Sequence, residues 1–261
     1  MIDPWFLLLV LKMATAAAVV VGCSLLAERS GPMIAAMIAT LPISIGPVYV
    51  FLALDHDAAF IAQGALGSMS ANLANAALCF VYVPLAQRFG TVLCLSAAVL
   101  AWFAALLLLR ALELPFAVLL VTTVVVYGSL HGLFRRYSGA RPSHQPSRPW
   151  YLIPMRAGFV ATLAAVVTTL STQVGPAWSG VLAALPVVLT SMIAMLQPRI
   201  GGPAMAAVLA NSALPLIGFG MAIGSVHLNA VPLGSPVALT LGLAISVGWN
   251  LALMRLSRGA R

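Results

Sequence analysis

The chain has 261 residues, 62% hydrophobic and only 7% charged, whereas a soluble domain carries about 25% charged residues; the surplus apolar surface has to face lipid. The formal charge of +8 does not point to nucleic acid, because the arginines gather in short loops and at the C-terminus, where a positive-inside bias places them. Cys23, Cys79 and Cys94 fall inside apolar stretches and read as small packing residues, not as a disulfide or a metal set.

A membrane span needs about 20 predominantly apolar residues, and nine such stretches follow one another: 5–27, 33–54, 58–86, 91–111, 115–134, 151–172, 176–197, 203–226 and 235–256. The first opens MIDPWFLLLVLK. It lacks the basic start of a secretory signal and is interrupted by Lys12, so it reads as a retained helix. The second carries GPMIAAMIATLPISIGP, with Pro42 and Pro47. Proline in a helix interior removes a hydrogen bond and clashes with the preceding turn, at a cost of roughly 3 kcal/mol, so a break is expected there, beside Ser44 and Tyr49. Asp55-His56-Asp57 follows as an external loop. Three adjacent loop residues do not converge on one ion, and this one reads as a solvated turn. The third stretch holds Gln63 and GSMSANLAN, whose Ser68, Asn72 and Asn75 share a helical face.

The fifth stretch has His131 near its end, and then comes the one long connection, the basic RRYSGARPSHQPSRP at 135–149. The sixth holds Arg156 about a turn and a half inside, the seventh Pro186, Thr190 and Ser191, the eighth Asn211 and Ser212, and the ninth Asn250. His227 falls in the external loop after the eighth. The sequence names no partner for it or for His131, and each is expected to be structural or solvated.

With nine spans, alternate loops share a side. One side collects Arg29, Arg88, Arg135, Arg136, Arg141, Arg148, Arg199, Arg255, Arg258 and Arg261, and the other has only Arg110, together with Asp3, Asp55 and Asp57. The arginine-rich side is expected in the cytoplasm of a bacterial inner membrane, with the N-terminus outside and the C-terminus inside.

The second stretch has a partner, GPAWSGVLAALPVVLTS at 175–191. An offset of 144 residues aligns Gly31 with Gly175, Pro32 with Pro176, Leu41 with Leu185, Pro42 with Pro186, Lys12 with Arg156 and Ser68 with Ser212. Residues 1–111 then form a first four-span repeat, 112–150 a linking span and basic loop, and 151–261 a second repeat, which the odd linking span turns upside down. The expected fold is an all-α polytopic membrane protein of about nine transmembrane helices in two inverted-topology repeats. Such repeats mark secondary transporters, with sites near midplane at interrupted helices.

Each half resembles the small four-span bacterial membrane proteins of the GlpM type. The first half carries Lys12, ATLP at 39–42 and GS at 67–68, and the second Arg156, AGFVA at 157–161, AALP at 183–186 and NS at 211–212. Leu41 and Leu185 stand where that family has an aromatic before the proline. The resemblance implies a fused version of an antiparallel pair of small units. It also implies a link to exopolysaccharide production, and hence the alternative of a non-catalytic scaffold or accessory subunit for envelope polysaccharide or lipid assembly.

Intramembrane ionisable residues are costly and are functional candidates. Lys12 and Arg156 would supply two cations near the breaks at Pro42 and Pro186, an anion site, though either side chain could instead snorkel to the lipid phosphates. Ser44, Ser68, Asn72, Thr190, Asn211 and Ser212 would line a polar pathway or hold helices together. All five acidic residues, Asp3, Glu28, Asp55, Asp57 and Glu113, lie at span ends or in loops. This argues against a carboxylate-driven cation antiporter and fits a uniporter or coupling through Na⁺. No acid–base pair, nucleophile with a nearby histidine, phosphate loop or metal spacing is visible, so no enzyme and no cofactor is expected. The expected partners are a small-molecule solute, the lipid bilayer and further copies of the chain, without nucleic acid. The reading is a secondary transporter of a small anionic or polar solute, with a site between the repeats.

Overall fold

Backbone polar groups in lipid have no water to bond, so an apolar chain crossing a bilayer satisfies them within helices. The computed structural model, which describes residues 4–29, 45–140 and 151–259, follows that rule. Its helices are α1 (Pro4–Arg29), α2 (Ile45–Asp55), α3 (Ala58–Leu85), α4 (Thr91–Ala111), α5 (Phe116–Phe134), α6 (Leu152–Ala183), α7 (Val187–Ile200), α8 (Gly202–Asn211), α9 (Ala213–Leu233) and α10 (Ser235–Gly259). No strand occurs among the described residues.

Seven stretches among the described residues are long and apolar enough to cross a membrane. One of them, Ile153–Ile200, has 48 residues, about 72 Å at 1.5 Å per residue and therefore room for both the sixth and the seventh expected spans. The short α2 is the end of the second expected span; Pro42 and Ser44 lie outside the described residues. Leu100, Leu107, Val121 and Val125 of α4 and α5 are 59–69% exposed, an apolar surface suited to acyl chains. The chain is an all-α, multi-pass membrane protein.

Two expected spans are not single helices. Gly175 (φ 76°, ψ 174°) interrupts α6 ahead of Pro176, a backbone that only glycine adopts readily. Ala184 and Leu185 then separate α6 from α7, whose N-cap is Pro186 (φ −74°, ψ 36°). A helix break at Pro186 is therefore present. The eighth expected span is divided at Ser212 into α8 and α9. Helix α9 continues to Leu233, so the expected external loop around His227 is corrected: His227 is helical, and its Nδ1 lies 2.8 Å from Ala62 O. A carbonyl only accepts, so the imidazole N–H donates, which lets the apolar run continue through the histidine.

Two compact units divide the chain: residues 1–68, 149–185 and 221–261 form one, and 69–148 and 186–220 the other. In the first unit α1 packs along α6, α2 packs against α1 and α6, and α10 packs against α2. Alanines allow that approach: Ala16 of α1 and Ala157, Ala161 and Ala164 of α6 are buried. In the second unit α7 packs against α4 and α8, and α8 against α5, around the buried Tyr82, Trp102, Tyr127 and Met205.

Candidate functional site

In the first unit Lys12 is buried, and its Nζ forms an ion pair with Asp55 at the end of α2. The Asp55-His56-Asp57 segment is a turn with Asp55 and Asp57 exposed, as expected, yet Asp55 also compensates the charge that α1 carries into an apolar environment. The sequence held a signal for this pair, because the orientation count puts the start of the first span and the end of the second on one side. Next in the chain, His56 Nε2 lies 2.7 Å from Ser171 Oγ of α6, and that hydroxyl donates to Thr168 O at 2.9 Å. A hydroxyl has one proton, so His56 is the donor to Ser171. The His56 ring stacks on Phe60 at 3.7 Å.

Beyond Ser171 the chain folds back at Gly175. Ser179 Oγ donates to Gly175 O at 2.8 Å and approaches Ser171 O at 3.5 Å. Eight residues of straight helix would separate Ser171 and Ser179 by about 12 Å, so the bend is sharp. The short piece after it packs on the start of α3. A β-carbon built on Gly180 would fall 1.8 Å from Gly64 O, and one on Gly67 1.9 Å from Ala177 O. Here backbone meets backbone, which only glycine permits. Ser68, fully buried, ties the contact: its hydroxyl donates to Gly180 O at 2.6 Å and receives the Tyr49 hydroxyl at 2.7 Å.

The second unit has its own polar cluster. Asn72 is fully buried. Its Nδ2 donates to Leu216 O at 3.2 Å, and its backbone carbonyl oxygen receives the Tyr127 hydroxyl at 2.5 Å. The Tyr82 hydroxyl donates to Gln197 Oε1 at 2.8 Å, and Gln197 Nε2 to Phe89 O at 3.4 Å.

Of the sequence-selected residues, Lys12, Ser68 and Arg156 belong to the first unit, and Asn72, Pro186, Thr190, Asn211 and Ser212 to the second. The Arg156 side chain lies outside the described residues. Thr190 donates back to Pro186 O at 2.8 Å and Ser212 to Val208 O at 2.9 Å, each satisfying its own helix. The exposed Asn211 holds Ala207 O at 2.8 Å and Ser138 O at 3.2 Å. Sequence reasoning missed Ser171, Ser179 and Gln197, which look like ordinary polar punctuation until the fold pairs them. No family model, curated protein or solved structure matches the chain.

Proposed function

We propose that the protein is a secondary transporter of a small polar or anionic solute, built from two inverted repeats. The observation that carries this is the meeting of equivalent positions. Asn72 bonds Leu216, 144 residues away, the same offset that aligns the two halves. Within the second unit Gly202 also abuts Ala86, where an added β-carbon would fall 1.9 Å from Ala86 O. The pairs 72–216 and 86–202 run in opposite directions along the chain, as an inverted two-fold relation requires. The offset further carries α2 onto α7 and α10 onto α4. The packing of α10 on α2 in one unit thus has its counterpart in the packing of α4 on α7 in the other.

The helix break at Pro186, inside the seventh expected span, adds to this. Non-helical backbone at membrane depth is tolerated where it is buried in protein or lines a cavity, and interrupted helices build the sites of inverted-repeat transporters. Because Asp55 compensates Lys12, the attraction for an anion rests on Arg156 and on exchange of the Lys12–Asp55 pair. Proteoliposomes challenged with radiolabelled phosphate, acetate and glycerol test the reading. Protein-dependent flux of one of these, lowered at least tenfold in Lys12→Ala, supports it; fluxes equal to those of empty liposomes overturn it.

The backbone contact of Gly64 with Gly180 favours a second reading, a non-transporting scaffold for envelope polysaccharide or lipid assembly, since such packing resists sliding. That reading requires a stable partner to co-purify and no flux.

A further inference from the structure

We propose that Asn72 and Asn75 form part of a binding site for a monovalent cation in the second unit. Among the described residues, the side-chain oxygens of Asn72 and Asn75 are buried and have no hydrogen-bond partner. The residues are 0% and 6% exposed. Buried polar atoms are nearly always paired, and each exception calls for a reason. The orientation of the Asn72 amide is fixed, since its nitrogen donates to Leu216 O and the reversed amide would set two carbonyl oxygens against each other. Its Oδ1 is thereby left as an acceptor with nothing to accept. Asn75 lies three residues on, so the two side chains stand on one face, with β-carbons about 5–6 Å apart.

Two observations choose the ligand. The first is space. A β-carbon on Gly220 would fall 2.9 Å from Thr123 Cγ2 and 3.1 Å from Asn72 Nδ2. Packing this close on the nitrogen side of the Asn72 amide leaves no room there for the carbon skeleton of an organic solute. The second is charge. The acceptors are neutral amide oxygens, and the chain's five acidic residues all lie at span ends or in loops. Divalent ions draw on carboxylates, so a neutral oxygen set suits a singly charged one. Thr123 Oγ1, which donates to Leu119 O at 2.7 Å, keeps lone pairs for a further ligand. Asn72 stands at the middle of the 28-residue α3, the depth at which coupling ions are held in inverted-repeat carriers. The site itself stands on the second unit alone, whether or not the protein transports.

The test uses the purified full chain in detergent. Its melting temperature is followed in NaCl and in N-methyl-D-glucamine chloride at equal ionic strength, and ²²Na⁺ binding is measured by scintillation proximity. A saturable rise in melting temperature with Na⁺, and ²²Na⁺ binding weakened at least tenfold in Asn75→Ala, are expected. Asn75→Asp keeps the shape and adds a negative ligand, so it should tighten ²²Na⁺ binding if Asn75→Ala fails to fold. Equal melting in the two salts and no displaceable ²²Na⁺ would overturn the proposal, leaving the oxygens to water. Because no flux is measured, a failure here is distinct from a failure of the transport reading.

Discussion

Lys12 shows how one residue reports on its surroundings. A buried ammonium without a partner is costly, and Asp55 removes that cost by closing the ion pair. Asp55 is about 30% exposed at its side chain, so screening keeps the pair modest. Lys12→Ala and Asp55→Ala should each lower the melting temperature. The double variant should lose less than the sum, a coupling of about 1 kcal/mol in a double-mutant cycle. Ser68 is the second such residue. Ser68→Ala leaves the buried Tyr49 hydroxyl without its partner, at about 1–3 kcal/mol, and adding Tyr49→Phe should recover part of that loss in the same melt. Lys12, Ser68 and Asn72 stood out in the sequence because charged, hydroxyl and amide side chains interrupt apolar runs. Their partners were not: Gly180 O and Leu216 O are backbone atoms of distant segments, which no side-chain pattern announces.

Among the elements, α6 carries the most informative departure from a plain helix. Its glycines divide by surroundings. A β-carbon on Gly180 meets Gly64 O at 1.8 Å, whereas one on Gly158 meets nothing within 4 Å. Gly180→Ala should therefore force α3 and α6 apart and lose several kcal/mol or the folded state, beyond the usual 1–3 kcal/mol of overpacking. Gly158→Ala should be neutral or stabilising by up to about 1 kcal/mol, and fluorescence-detected size exclusion with a thermal ramp separates the two. The break at Pro186 was readable because proline has one local consequence. The division at Ser212 carried a similar signal that went unread: Pro215 stands mid-span in 203–226 and falls in the first turn of α9 once the helix divides. His227 was misplaced for a related reason: a polar residue near an expected span end looks like loop until a distant carbonyl, here Ala62 O, accepts its proton.

At the scale of the whole molecule, the two compact units each draw on both halves of the sequence. The arginine asymmetry adds a prediction: a reporter fused within 138–146 should report the cytoplasm, and a periplasmic signal would dismantle the orientation. Transport requires more than this architecture, because the buried polar groups have to meet water from each side in turn. The direct measurement places a single cysteine at Ser68, fully buried here, in a chain with Cys23, Cys79 and Cys94 replaced by serine. Right-side-out and inside-out vesicles are then treated with a membrane-impermeant thiol reagent. A transporter predicts slow labelling from both faces, faster when the Lys12–Asp55 pair is broken by Asp55→Asn. Protection from both faces, with and without Asp55→Asn, would contradict the transport reading and leave the rigid scaffold in its place.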